Sequence, residues 1–259
     1  MKITMSWITR KRTSQLSFSI ASFVTNADNN KDIEYMFSID NDDVETENAI
    51  NQLNPFVKRC GSELKIMKTK RHGYDHINEY DNEVCKIFTG HCIIFATDDM
   101  FCLTKGWDTK IRNELKNYLD EPVLIHTQPW EDRQKFWPTM PGITRKWYEV
   151  TEHVAGWTSA DLYLHWLAED AGLRVVKPDY EVHQLSRLYA GERENWTEVD
   201  ETHEEGRGRA IAGKEHRHSR KDDEGYSRDD NRGEYYEDLQ KPLHHNQSRQ
   251  HRHPPEAAS

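Results

Sequence analysis

Short β-prone runs alternating with stretches of helical spacing predict an α/β fold built on a mostly parallel sheet flanked by helices. Two further observations support this. His91–Ala96 contains an apolar run with no alternation, CIIFA, as expected of a strand buried on both faces. Strand after strand also ends in charged residues, which a merely structural sheet does not require.

The elements follow in order. Lys2–Ile8 is the first strand and Thr9–Thr13 a basic break. From Ser14, the residues Leu16, Phe18, Ile20, Phe23 and Val24 recur at near-helical spacing. Ile33–Ile39 is a second strand that runs into the acidic cluster Asp40-Asn41-Asp42-Asp43, and the next helix has Thr46 as its candidate cap. Leu64–Thr69 is a third strand ending in the basic loop Lys70-Arg71-His72-Gly73. A helical stretch through Ile77, Tyr80, Val84 and Phe88 leads to Gly90 and the apolar run, which closes on Thr97-Asp98-Asp99. Val123–Thr127 is another strand, Gln128–Gly142 a Trp- and Pro-containing loop, and Ile143–Val150 the start of a further element. Ala160–Ala171 has helical spacing with Gly172 as its stop. Leu173–Val176 is a last strand before Pro178, and His183 lies just beyond.

Composition changes sharply along the chain. Residues 1–195 have globular proportions of aromatic and β-branched residues. Residues 196–259 are almost all charged, His, Gly, Ser and Asn, and half of the fourteen histidines lie there. Such a segment buries too little apolar surface to offset an ordering cost of roughly 1–2 kcal/mol per residue, so a disordered charged tail is expected. The net charge of −10 and the mixed-sign tail argue against a continuous basic nucleic-acid face. Cys60, Cys85, Cys92 and Cys102 form no CxxC pair. The N-terminus has charges where a secretory signal needs an apolar core, and no run approaches the ~20 apolar residues of a membrane span. These features predict free thiols and a cytoplasmic protein.

In open α/β sheets, ligands bind outside the carboxyl ends of the strands. Those ends carry Thr9-Arg10, Asp40-Asn41-Asp42, Arg71 and Asp98-Asp99. The adjacent Asp98 and Asp99 repel each other unless a cation or basic partner neutralises them, and Mg²⁺ or Mn²⁺ takes oxygen ligands of this kind. The plain alternative is an acidic loop in water. Asp40 and Asp42 suit a base or ribose, or else a capped turn. Thr9, Arg10, Lys11 and Arg12 suit a phosphate, or else a solvated basic loop.

The order SWITRKR, FSIDNDD, KRHG, TGHCIIFATDDMF and TSADLYLHWLAEDAGLRVV resembles family 2 glycosyltransferases, especially short bacteriophage-encoded ones. The resemblance covers roughly residues 1–185 and implies a GT-A fold. It further implies a metal-dependent inverting enzyme that moves a sugar from a nucleoside diphosphate sugar to an acceptor (glycan, protein or modified DNA) with Mn²⁺ or Mg²⁺. Thr9 matches a Pro-Thr-type motif, although Ile8 replaces the proline. Asp40 matches the family's base-contacting acid, with Arg10, Asp42, Arg71 and Asp98 alongside as nucleotide-binding candidates. Asp98 matches the closing metal-binding acid, with Asp99 beside it, while Ala96 replaces the usual first acid. His183 is the candidate completing metal ligand. Asp161 matches the catalytic base, although Ala160 replaces its acidic neighbour and a helix cap would also favour it. Trp130 and Trp137 are candidate acceptor-binding aromatics. Two alternatives stay open: a non-catalytic nucleotide- or carbohydrate-binding protein, which Ala96 favours, and a metal-dependent nucleotidyltransferase or phosphohydrolase.

Overall fold

β-Prone and helical segments lie where the alternation places them, in a computed structural model that describes residues 1–73, 76–130, 137–156 and 159–184. The chain runs β1 (Ile3–Ile8), α1 (Thr13–Asn26), β2 (Ile33–Asp40), α2 (Val44–Arg59), β3 (Leu64–Thr69), α3 (Ile77–Cys85) and β4 (Cys92–Thr97). It continues through β5 (Met100–Cys102), α4 (Trp107–Leu115), β6 (Val123–Thr127), β7 (Met140–Thr144), α5 (Arg145–Thr151), α6 (Ala160–Asp170), β8 (Arg174–Val176) and β9 (Val182–Gln184). The tail expected over 196–259 lies outside the described residues.

Seven strands form one sheet in the order β3-β2-β1-β4-β7-β6-β8. β1, β2, β3 and β4 pair in parallel, and β7 runs antiparallel to both β4 and β6. The two reversals cancel, so β6 and its parallel neighbour β8 point the same way as β4. The ends of β1, β2, β3, β4, β6 and β8 therefore share one rim. β5 and β9 form a separate antiparallel ribbon just beyond it.

The period-2 alternation of each strand divides the apolar residues between two cores. Ile3, Met5 and Trp7 of β1 pack with Tyr35 and Phe37 of β2 beneath α1, α2 and α4. Trp7 stacks on Phe37 with centroids 5.2 Å apart and meets Phe23 of α1 edge-on at 5.7 Å. Met36, Ile93, Phe95, Leu124 and Ile143 face the other way, beneath α3, α5 and α6. The central strand β4 feeds both cores, and this explains its unbroken apolar run.

Four details differ from the sequence reading. Asp43, not Thr46, caps α2: its carboxylate accepts from the Thr46 backbone N–H at 3.1 Å, and the Thr46 hydroxyl donates to it at 2.6 Å. β7 begins inside the stretch expected to be a loop and runs on to Thr144, where α5 follows directly. α4 and the β5–β9 ribbon have no counterpart in the sequence reading; strands of three residues leave too short a periodic signal. Gly172 does end α6, at φ +63°, with its N–H on the Glu169 carbonyl at 3.1 Å. The four cysteines are free thiols, and no described helix is long and apolar enough to cross a membrane.

Gly142 holds the antiparallel insertion together. It sits opposite Ile94 of β4 and Ile125 of β6, and a Cβ there would lie 2.4 Å from Ile94 Cδ1 and 2.8 Å from the Ile93 carbonyl. Gly142→Ala should therefore destabilise the fold by about 1–3 kcal/mol, the usual cost of overpacking. Chemical denaturation of wild type and variant measures it; a loss below about 0.5 kcal/mol would contradict this close approach.

Candidate functional site

The site begins at the end of β1, where the chain must turn from strand to helix within four residues. Lys11 makes the turn at φ +55°, uncommon for a residue with a side chain. Its N–H is held by Asp43 Oδ2 at 3.0 Å and by the Thr46 hydroxyl at 2.9 Å. The reversal sends its two neighbours to different carboxylates. Arg10 reaches Asp40 at 2.7 Å and forks onto Asp42 at 2.7 and 3.0 Å. Arg12 reaches Asp98 at 2.7 Å, and the Thr9 hydroxyl donates to the other oxygen of Asp98 at 3.0 Å. Hydrogen bonding to Asp42 is the largest influence on Arg10 and holds its proton more firmly still. Asp42 itself is exposed and is drawn down chiefly by Arg10, with Arg71 contributing at longer range. Thr9, Arg10, Asp40, Asp42, Arg71 and Asp98 thus belong to one neighbourhood.

Asp40 has a second partner that sequence reasoning missed. The Tyr80 hydroxyl of α3 donates to Asp40 Oδ1 and accepts the His72 N–H at 3.0 Å. Burial first, then Asp40, pushes the Tyr80 phenol up to about 12. Tyr80 lies on the apolar stripe of α3, so the sequence marks it as core and its hydroxyl goes unnoticed.

Asp98 and Asp99 are 3% and 4% exposed, unusually little for adjacent carboxylates. Burial raises the Asp98 carboxyl to about 6; Arg12 and Thr9 pull against that, and Asp99 adds to it. Asp99 accepts from Thr97 at 2.5 Å and from the Gln184 amide at 3.1 Å. Among the described residues, no three His, Cys, Asp or Glu side chains gather as a preformed cage. The pair still fits a hard divalent cation: it offers buried oxygen donors at a strand end, and Asp98 keeps a raised carboxyl despite its ion pair with Arg12. His183 sits on the ribbon next to Gln184, its Nε2 2.7 Å from Glu181, with its ring stacked against Phe101 and Trp130.

Asp161 stands in the first turn of α6, where its Oδ1 accepts the Leu162 N–H at 2.8 Å. Because β8 follows α6 after a short turn and ends at the rim, α6 runs away from the rim and its first turn lies toward it. α3 runs the same way on the same sheet face. Its Asn82 grips the turn before α6, donating to the Ala155 carbonyl at 3.1 Å and accepting the Val154 N–H at 2.8 Å. Asn78 donates to the same carbonyl at 3.2 Å. Between them lies Asp81, 5% exposed, its carboxyl raised to about 8 by burial and then by the charge of Asp161. Sequence reasoning missed Asp81 as well. The signal was an acid at the fourth residue after Ile77 and before Cys85, on a helix face that must be buried.

Trp130 is half exposed beside Pro129, which bridges to Val182 of the ribbon. The Trp137 carbonyl accepts from the Gln128 side chain at 2.5 Å. The two tryptophans flank residues 131–136, which lie outside the described set.

No family model and no curated protein matches this chain. Solved structures do. The mannosyltransferase PcManGT from Pyrobaculum calidifontis, in complex with GDP-Man and Mn²⁺, aligns with a TM-score of 0.55 at 14% identity, over 71% of this chain and 56% of its own. TarS residues 1–349 from S. aureus, in complex with UDP-GlcNAc, aligns at 0.54 and 12% identity, over 70% of this chain and 57% of its own. The same TarS fragment in a further structure aligns at 0.53 and 14% identity, over 78% of this chain and 68% of its own. The chain spans little more than half the length of the first two. The shared feature is the fold: a GT-A-like, mostly parallel seven-stranded sheet flanked by helices.

Proposed function

We propose that this protein is a metal-dependent inverting glycosyltransferase acting on a nucleoside diphosphate sugar. The observation that carries the reading is the buried Asp98–Asp99 pair, placed by Thr9 and Arg12 beside the Asp40 cluster on one rim. The folds compared above include proteins in complex with GDP-Man and Mn²⁺ and with UDP-GlcNAc, which supports the donor class.

In this reading Thr9, Arg10, Asp40, Asp42 and Arg71 frame the nucleotide. Arg10 is a fixed cation within hydrogen-bond reach of the acids that meet base or ribose. Asp98 and Asp99 would hold Mn²⁺ or Mg²⁺, with His183 as a further ligand if it exchanges Glu181 for the cation. A bound divalent cation neutralises charge on the departing diphosphate. Arg12 yields its place on Asp98 and remains nearby as a second positive group. Asp161, partly exposed at the rim end of α6, accepts the proton of the acceptor hydroxyl. Asp81 behind it keeps its own proton at neutral pH, so no second negative charge competes at that point. Trp130 and Trp137 offer aromatic faces to the acceptor. A non-catalytic binding protein is the second reading, favoured by Ala96 where the family has an acid.

Four measurements test these roles. With Mn²⁺ and a panel of nucleotide sugars, wild type should release nucleoside diphosphate. Asp161→Asn should lower transfer about 10²–10⁴-fold with little change in nucleotide affinity, and transfer that survives the substitution would remove Asp161 as the base. Asp98→Asn should weaken Mn²⁺ binding at least about tenfold by calorimetry while leaving the metal-free thermal midpoint unchanged or higher, because a penalised charge is gone. A lowered midpoint with intact Mn²⁺ binding would make Asp98 structural. Asp81 supplies a pH signature. Its folded-state pKa of about 8 lies above the ordinary carboxyl value of 3.8, so the folded protein loses stability as pH rises from about 4 to 8. Asp81→Asn should abolish that slope and be more stable than wild type at pH 8.5, by on the order of 5 kcal/mol, with little difference at pH 4.

A further inference from the structure

The two oxygens of Asp98 have partners at different depths. Oδ2 accepts from the Thr9 hydroxyl at 3.0 Å, and Thr9 is 5% exposed. Oδ1 takes the Arg12 guanidinium at 2.7 Å, and that side chain is 28% exposed against 5% for the carboxylate it covers. Arg12 is therefore the outer partner, standing between Asp98 and the open rim. A divalent cation on Oδ1 would stand within hydrogen-bond range of the guanidinium, and like charges that close in so buried a place repel strongly. The backbone carrying Arg12 is fixed. The N–H of Lys11 is held by Asp43 and Thr46, and the Arg12 carbonyl accepts the Leu16 N–H at 3.0 Å in the first turn of α1. It is the long side chain that must yield, and the first turn of α1 contains no acid to receive it.

We infer that Arg12 exchanges between Asp98 and the diphosphate of the donor: it covers Asp98 in the absence of the cation and pairs with the diphosphate once the cation holds Asp98. The inference rests on the metal-dependent glycosyltransferase reading and adds to it a residue on the leaving group and a coupling between the two ligands. A cation arriving alone breaks the Arg12–Asp98 pair with nothing to offset the loss. A diphosphate arriving with it takes up the displaced guanidinium, whose planar fork matches phosphate oxygens. Each ligand thus favours the other beyond any direct contact between them. Arg10 is differently employed. It lies on the other side of the left-handed Lys11, forked onto Asp42 and bonded to Asp40.

Calorimetry on the full-length protein tests the exchange with Mn²⁺ alone, then with UDP or GDP at saturating Mn²⁺, and likewise with UMP or GMP. Relative to wild type, Arg12→Gln should bind Mn²⁺ alone about tenfold more tightly, because its competitor is gone, and the diphosphates about tenfold more weakly. Affinity for the monophosphates should change less than about threefold, a contrast that general damage to the site would not produce. Thermal unfolding verifies that the variant folds. A second readout needs no variant: modification of Arg12 by phenylglyoxal in wild type, followed by mass spectrometry. It should quicken when Mn²⁺ is added and slow again when UDP or GDP follows. Mn²⁺ affinity that is unchanged or weaker in folded Arg12→Gln overturns the exchange. So do equal losses for mono- and diphosphates, an unchanged diphosphate affinity, or an Arg12 reactivity indifferent to Mn²⁺. In each of these cases wild-type binding of UDP or GDP with Mn²⁺ leaves the donor reading standing, whereas wild type that binds neither diphosphate sinks that reading as well.

Discussion

The molecule depends on a charge arrangement at the end of β1. Asp40, Asp43 and Asp98 are all buried at one rim, and water cannot screen them there. What makes the rim foldable is a four-residue segment, Thr9 to Arg12, that supplies a donor to each. Arg10 serves Asp40, the Lys11 backbone serves Asp43, and Arg12 with Thr9 serves Asp98. An unpaired buried carboxylate would cost several kcal/mol or take up a proton instead. The left-handed Lys11 is the hinge of this arrangement, because an extended residue there would send both arginines the same way. The strain is local and is offset by the two bonds to its N–H.

α3 couples the two halves of the site. Consecutive residues point to different partners: Tyr80 donates to Asp40 on the β2 side, and Asp81 faces Asp161 on the α6 side. Asn78 and Asn82, one turn apart on the same helix, fasten the turn that precedes α6. A displacement of α3 would therefore alter the Asp40 side and the Asp161 side together.

The fold was legible where periodicity was long and the chemistry plain. β1 to β4 and the helices between them carry strong apolar patterns, and the charged strand ends follow from where such sheets place ligands. The ribbon was not legible. β5 and β9 have three residues each and pair across some eighty positions of sequence, so no local signal marks them. At the site, the acids were visible because two or three stand together after a strand. Their partners were not. Tyr80 and Asp81 lie inside a helix pattern that explains them as core, and only tertiary packing reveals that one bonds Asp40 and the other opposes Asp161. Thr46 was placed at the right helix end but in the wrong role, since Asp43 and Thr46 bond each other and sequence alone leaves open which of them caps.

Two buried carboxylates within this one sheet are compensated to different degrees. Glu34, at the start of β2, is as hidden as Asp98, and burial alone would raise its pKa. Lys65 at 2.6 Å, the Thr89 N–H at 2.8 Å and the Thr4 hydroxyl at 2.7 Å outweigh that burial and bring the carboxyl down to about 2. Its charge is fully compensated, and it has nothing left to bind. Asp98 has an arginine and a hydroxyl as well, yet its carboxyl stands near 6, because burial outweighs those two partners and Asp99 stands next to it. A fold free to optimise stability would treat both ends alike. This one completes the charge balance at the base of the sheet and leaves it incomplete at the rim, the mark of a candidate site.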